Sequence, residues 1–273
     1  LHPAQRLNAM NTPITVTMLV KNAERCLAEA LNALASFNEV LLLDNDSTDN
    51  TLTIAAQYPN VTLHHHPFDG FGNMKNRAAA LAKNDWILNI DSDEIITPEL
   101  LASIQQADLT QPENIYALNR INHYQRRPIT GCGWSPDIIP RLYNRTHTQY
   151  NQRAVHEALI IPQGIRPQLL QGNLNHYTYD SIEALISKMQ QYSSLYAEQN
   201  AGQKTSSPLA ALMHGAWSFI RSYLLKSGWK HGADGLTICL TQAAGSYYKY
   251  AKLNERNRAI KSQQHIDTPP ETH

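Results

Sequence analysis

Three carboxylates close one apolar run: Trp86-Ile87-Leu88-Asn89-Ile90 leads straight into Asp91-Ser92-Asp93-Glu94. The run reads as a short buried strand, because Trp, Ile and Leu follow one another without polar alternation. Residues two apart on an extended backbone point to one side, so Asp91 and Asp93 are expected to converge. Like charges aimed at one point repel unless a cation lies between them. Oxygen donors of this kind suit a hard divalent ion, Mg²⁺ or Mn²⁺. Such an ion keeps waters and binds substrate phosphates, so the segment points to a phosphate-bearing substrate held through metal. A solvated acidic turn after a strand is the alternative reading.

The elements that must position these residues precede them. Ile14–Val20 is a β-branched strand, followed by Lys21-Asn22-Ala23-Glu24 and a helix with Leu27, Ala30, Leu31 and Leu34 on one face. Glu39–Leu43 is a buried-strand pattern that runs into Asp44-Asn45-Asp46-Ser47-Thr48-Asp49-Asn50, rich in helix caps, ahead of a helix over Thr51–Tyr58. Val61–His65 predicts a third strand, and Phe71–Lys83 a helix entered through Asp69-Gly70-Phe71-Gly72. Strands alternating with helices give an α/β fold with a mostly parallel sheet flanked by helices. Ligands bind at the carboxyl ends of such strands, where Val20, Asp44 and Asp91 fall. Further on, Asn119–Tyr124, Ile138–Tyr143, Val155–Ile161 and Leu169–Asn175 read as strands, and Ser181–Gln199 as a helix.

Several side chains near these ends carry chemistry of their own. Asp44 can accept from an imide N–H or ribose hydroxyls, or cap the following turn. Gly70 and Gly72 permit close backbone approach, yet no G-x-G-x-x-G follows a strand and no Walker loop occurs. Lys75 sits just beyond them, as a diphosphate counter-charge or a solvated helix lysine. His64-His65-His66 alternate faces on a strand and cannot all grip one ion, so they read as a solvated strand end.

The ordered set Lys21-Asn22-x-Glu24, Leu43-Asp44-Asn45-Asp46-Ser47-Thr48-Asp49, Gly70-x-Gly72 with Lys75-Asn76, and Asp91-Ser92-Asp93-Glu94 resembles the family 2 glycosyltransferases. These are inverting enzymes of GT-A fold that use nucleotide-diphospho-sugars. The general motifs cover roughly residues 12–160. Val155-His156-Glu157, His176-Tyr177 before a helix and Asp234-Gly235 look like the lipopolysaccharide-core β-1,4-glucosyltransferase subgroup.

That resemblance implies a division of labour. Val20, Asn22, Glu24, Asp44, Gly70, Lys75, Asp91 and Ser92 would serve the donor, with Asp44 on the uracil or ribose of UDP. Asp93 would ligate the metal, Asp91 would contact ribose or a metal-bound water, and Glu94 would brace the site. His176 is a positional match to a late histidine that adds a metal or diphosphate contact. The cation would assist UDP departure. Inversion also needs a general base for the acceptor hydroxyl. Glu157 is the first candidate and Asp137 the second, because many relatives carry Glu-Asp where this chain has His156-Glu157. His156 would orient that carboxylate or bind acceptor, or serve structure alone. Trp134 would stack on a sugar or fill a core.

Composition sets outer bounds. The 273 residues carry 23 Lys and Arg against 23 Asp and Glu, which does not favour a nucleic-acid partner. The charge is uneven: residues 203–261 hold nine Lys and Arg against two acids, among many Leu, Trp, Tyr and Phe. Basic residues interleaved with aromatics fit an anionic membrane surface, or core helices with a basic outer face. No apolar run is long enough to span a bilayer, no secretory signal is visible, and three scattered cysteines suggest a reducing cytoplasm. Arg126, Arg127, Arg141, Arg145 and Arg153 suit phosphate on an acceptor, or surface salt bridges.

The expected organisation is a GT-A catalytic domain over 12–200, with a nucleotide-sugar half at 12–109 and an acceptor half at 110–180. A basic amphipathic helical appendage follows at 207–260, with flexible ends at 1–11 and 262–273. Met10 is read as a native start. The function implied is transfer of a hexose, best glucose from UDP-glucose, to a lipid-anchored lipopolysaccharide core on the cytoplasmic face of the inner membrane. Transfer to polyprenyl phosphate or another glycolipid is the enzymatic rival. A non-catalytic nucleotide-sugar-binding protein is the rival of a different class. Processive synthesis is disfavoured by the absence of Gln-x-x-Arg-Trp, and a metal hydrolase by the lack of a second metal cluster.

Overall fold

β1 (Ile14–Val20) is buried along almost its whole length, and the helix after it, α1 (Glu24–Ala33), covers the sheet with Cys26, Leu27, Ala30 and Leu31. β2 (Val40–Asp44) is buried at every position because helices and neighbouring strands enclose it. α2 (Thr51–Ala55) is shorter than expected, since Tyr58 precedes a proline and that position disfavours helical backbone. β3 (Val61–His65) forms the edge. α3 (Phe71–Leu81) returns with Met74 and Ala78 packed against Leu41 and Leu43, and β4 (Trp86–Asn89) enters beside β1. Truncating a leucine such as Leu42 in this core costs about 2–5 kcal/mol.

The computed structural model describes residues 13–152 and 157–266, which fall into two compact units. The first comprises the chain up to Ile121 together with Pro136–Tyr177. Besides the elements above it holds β5 (Glu94–Ile96), α4 (Pro98–Gln105), most of β6 (Ile115–Tyr124), and, beyond the short β7 (Arg127–Pro128) of the other unit, β8 (Ile138–Asn144) and most of β9 (Gln168–Tyr179). The strand order is β3-β2-β1-β4-β8-β6-β9-β5. The β3-β2-β1-β4 half is parallel, and β8 adds antiparallel to β4. Val20 pairs with Asp44 in register, and Ile90 N donates to Thr17 O at 3.0 Å, so the ends of β1, β2 and β4 open at nearly one level. Thr97 caps α4 and Pro98 occupies its first turn. Gly172 has φ +89°, and a side chain there would collide with the Glu99–Leu100 backbone.

The second unit comprises Asn122–Ser135 and the chain from Thr178. It contains α5 (Ile182–Asn200), capped by Ser181, and α6 (Pro208–Phe219), capped by Ser207. α6 continues as a π-helical turn over Ile220–Leu225, and a 3₁₀ turn over Gly228–His231 leads into α7 (Gly232–Ile266). α5 lies against α7: Lys252 Nζ donates to the hydroxyls of Ser193 and Ser194 at 2.8 and 2.9 Å. The division therefore falls within β9, not after residue 200, because α5 buries its face on the C-terminal helix. Asp234 and Gly235 have structural work here. Asp234 takes a two-pronged bond from Arg127, and Gly235 lets α7 press against Gly228.

One expected strand is not formed as such. Of Val155–Ile161, residues 155 and 156 lie outside the described residues, and Leu159 makes only an isolated bridge to Tyr150.

Candidate active site

The acidic motif sits in the first unit, in the turn between β4 and β5. Asp91 is held between two cations. Its Oδ2 accepts from Arg141 at 2.7 Å and its Oδ1 lies 3.4 Å from Lys75 Nζ. The chain leaves the strand at Asn89, so strand alternation does not extend to this motif. Asp93 instead faces His176, with Oδ2 3.4 Å from Nε2. β5 and β9 place that pair: Glu94 is in register with His176, and Tyr177 N donates to Asp93 O at 2.9 Å.

Around Asp91 the charges alternate in a chain. Glu157 Oε1 lies 3.1 Å from Lys75 Nζ, and Lys75 reaches on to Asp91. Arg141 joins Asp91 to Glu94 Oε1 at 3.3 Å. Arg120 joins Glu94 at 3.1 Å to Asp137 Oδ2 at 2.8 Å. The sequence Glu157–Lys75–Asp91–Arg141–Glu94–Arg120–Asp137 thus links both base candidates to the acidic motif. Lys75 is buried, with its ammonium 5.1 Å from the centre of the Tyr150 ring, which rules out a solvated helix lysine. Glu94 braces the motif directly: it is buried, and its Oε2 accepts from Asp91 N at 2.9 Å.

Burial alone would raise the Asp91 carboxyl. The Arg141 guanidinium and the Lys75 ammonium outweigh it and hold that group well below the usual carboxylate range. Burial likewise works against the Arg141 charge, but Asp91 and Glu94 push its pKa above the ordinary arginine value.

The residues expected on the donor side include a second cluster at the ends of β1 and β2. Asn22 Oδ1 accepts from Thr48 N at 2.8 Å, and Asn22 N donates to Ser47 Oγ at 3.0 Å. Glu24 Oε2 accepts from Asn50 N at 3.1 Å and Nδ2 at 2.9 Å. These bonds stitch the two strand-end loops together, so Asn22 and Glu24 shape the loops themselves. Asp44 is buried, and among the described residues its oxygens accept from Ser47 N alone, each at 3.3 Å, which leaves acceptor capacity on the carboxylate. Val20 is buried behind it. Gly70 takes φ +109° at the start of α3, and Gly72 is buried within it. Ser92 lies in the turn between Asp91 and Asp93. His156 lies outside the described residues, and Trp134 belongs to the second unit, 5.7 Å from the Tyr179 ring.

Among the described residues no group of three or more His, Cys, Asp and Glu side chains is placed to hold a metal. Asp91 is a poor ligand here, since both oxygens already face cations. Asp93 and His176 form the pair whose chemistry fits: one carboxylate and one imidazole, both partly exposed. Two protein ligands suffice for an ion that takes its remaining ligands from phosphate and water. Among the described residues of the charge chain and the pair beside it, Asp91, Asp93, Glu94, Asp137 and Glu157 stand against Lys75, Arg120 and Arg141.

Sequence reasoning missed Arg120, Asn89 and Tyr150, and offered Arg141 an acceptor phosphate or a surface salt bridge, whereas its ion pairs are buried. Arg141 donates to Asn89 Oδ1 at 2.8 Å, and Tyr150 Oη to the same oxygen at 3.2 Å. The signal was present: Arg141 stands among apolar residues of β8, where an unpaired charge is not tolerated. Arg145 makes the surface salt bridge that was the alternative, Nε to Asp85 Oδ1 at 3.0 Å, and does more. It donates to the carbonyls of Ala79 and Ala82 at 2.6 and 2.7 Å, closing the C-terminal end of α3.

The chain resembles known proteins. The model of glycosyl transferase family 2 matches residues 15–166, and the chain belongs to that family. It is a glycosyltransferase enzyme of α/β fold with a C-terminal helical part. It is 28% identical over 271 residues to an uncharacterised glycosyltransferase of Rickettsia prowazekii, covering 92% of this chain and 89% of that one. It is 25% identical over 269 residues to the lipopolysaccharide core biosynthesis glycosyltransferase LpsC of Rhizobium meliloti, covering 93% and 96%. Among solved structures, S. aureus TarS 1-349 in complex with UDP superposes with a TM-score of 0.40 at 15% identity, covering 93% of this chain and 92% of that one.

Proposed function

We propose that this enzyme is an inverting hexosyltransferase that moves glucose from UDP-glucose to a hydroxyl of a lipid-anchored lipopolysaccharide inner core, at the cytoplasmic face of the inner membrane. The observation that carries the reading is the alternating charge chain from Glu157 to Asp137, with Asp93 and His176 beside it. Similarity to LpsC along nearly the whole chain supports the acceptor class.

Asp44 recognises the base or ribose through its carboxylate oxygens, which accept from an imide N–H or sugar hydroxyls. Gly70 lets the backbone approach the diphosphate, and Lys75 supplies fixed positive charge from a buried position. Asp93 and His176 would hold Mg²⁺ or Mn²⁺, whose chemistry there is neutralisation of the leaving diphosphate. Asp91 is kept ionised and immobile by Arg141 and orients ribose. Glu157 takes the acceptor proton as the acceptor oxygen attacks the anomeric carbon. It is preferred to Asp137 because Lys75 ties it directly to the Asp91 end of the chain, whereas Asp137 is reached only through Arg120 and Glu94.

Calorimetric titration with UDP, with Mn²⁺ and then with EDTA, tests the donor site. UDP binding that needs the cation and is lost in both Asp93→Asn and His176→Asn is expected. Binding unchanged by EDTA would remove the metal from the reading. No binding in either condition would remove UDP.

A further inference from the structure

α6 and the turns after it carry their bulk on the side that water should claim. Leu209, Leu212, Met213, Trp217, Leu224 and Trp229 are each 55 to 69% exposed. The first four recur at spacings of three and four residues, the pattern of one helix face. The opposite face is built from small residues that press on α7. Ala211, Gly215 and Ser222 are buried, and a Cβ on Gly215 would lie 3.1 Å from Tyr247 Cβ. A helix folding only for its own unit would bury the large side chains and expose the small ones. This one does the reverse, and contiguous exposed apolar area of this kind marks an interaction surface.

The charges choose the partner. From Gln199 to Ala233 the chain has no Asp or Glu, while Arg221, Lys226 and Lys230 are exposed among the apolar residues. Lys230 Nζ lies 5.6 Å from the centre of the Trp229 ring, so cation and indole sit together as they do at head-group depth. A second copy of this chain would set these cations against their own kind. A spanning segment is excluded for the described helices, none of which is long and apolar enough.

We propose that this face of α6 and the following turns docks on the surface of a bilayer rich in anionic phospholipid, with Leu212, Met213 and Trp217 inserted and Arg221, Lys226 and Lys230 on the phosphates. The assignment rests on the reading of a lipid-anchored acceptor for its purpose. Its test reads binding and not transfer, so the two fail separately.

The test is flotation of the full chain with vesicles of phosphatidylcholine alone, or mixed with phosphatidylglycerol at about 2:1. The wild type should float with the mixed vesicles and release at high salt, with a blue shift of tryptophan emission on binding. Leu212→Gln with Trp217→Gln should weaken flotation by about tenfold or more. Lys226→Gln with Lys230→Gln should weaken it on the mixed vesicles only. Leu63→Gln, an exposed residue of the first unit, should float as wild type does. All these positions are exposed, so unchanged melting curves are expected. Wild-type protein that does not float, or variants that float undiminished, would overturn the proposal. So would a wild-type dimer that L212Q/W217Q converts to monomer while vesicles capture neither.

Discussion

Replacing Arg141 by Met tests whether the charge chain is a structural brace. The Arg141 side chain is 7% exposed and that of Glu94 0%, and the guanidinium bonds Asn89, Asp91 and Glu94 at 2.8, 2.7 and 3.3 Å. Met fills the space without the charge, which leaves Glu94 with Arg120 and the Asp91 amide, and Asp91 with Lys75 and the His176 ring. Breaking one partner out of a buried pair costs about 3–5 kcal/mol. At roughly 2–4 °C per kcal/mol for a protein of this size, the melting temperature near neutral pH should fall by about 6–20 °C. The pH dependence gives a sharper check. The folded-state pKa of Asp91 is depressed, so its contribution is present above the unfolded value of about 3.9 and is lost as pH falls toward the folded one. R141M removes the main source of that depression. The deficit against wild type should therefore be greatest near neutral pH and narrow below about pH 4. Circular dichroism melts of both proteins across this range read it directly. A melting temperature within about 2 °C of wild type, or a deficit that does not change with pH, would refute the brace.

Other outcomes follow from named contacts. Glu157→Gln should lower kcat by about 10²–10⁴-fold while leaving UDP affinity near wild type, as seen by paired kinetics and calorimetry; a small loss with Asp137→Asn beside it would place the base at Glu157. Gly172→Ala should destabilise measurably in urea melts, because it strains a positive φ and meets the α4 backbone; an unchanged midpoint would contradict the packing described. Native protein should show no fast-reacting thiol with Ellman's reagent, since Cys26, Cys132 and Cys239 are all buried and burial beside Cys239 pushes the Cys132 thiol up to about 12; all three should react in denaturant.

The parallel half of the fold was legible because its signals are local. Unbroken apolar runs at Val40–Leu43 and Trp86–Ile90, cap residues, and helix faces such as Leu27-Ala30-Leu31 each specify an element without reference to the rest. The site was legible in its parts and not in its wiring. Asp91, Asp93, Lys75, Glu157 and His176 were all singled out from sequence, yet the partner of each depends on contacts between distant strands. Arg141 meets Asp91 only because β8 returns antiparallel beside β4, a pairing across more than fifty residues of chain. The acidic motif lies beyond the last residue of β4, so strand alternation could not tell which partner each carboxylate takes. The reversed face of α6 was hidden for the opposite reason. Its composition was plain in the sequence, but only the small-residue seam with α7 decides which side is outside.

The most direct measurement is transfer itself: purified enzyme, UDP-glucose, Mn²⁺, and lipopolysaccharide truncated in its inner core, with the product read by mass spectrometry. The expected result is addition of one hexose with release of UDP, abolished by EDTA and by Asp93→Asn, and strongly reduced by Glu157→Gln. Release of UDP without any hexose on the lipopolysaccharide, or transfer that proceeds undiminished in Asp93→Asn, would contradict the proposed function.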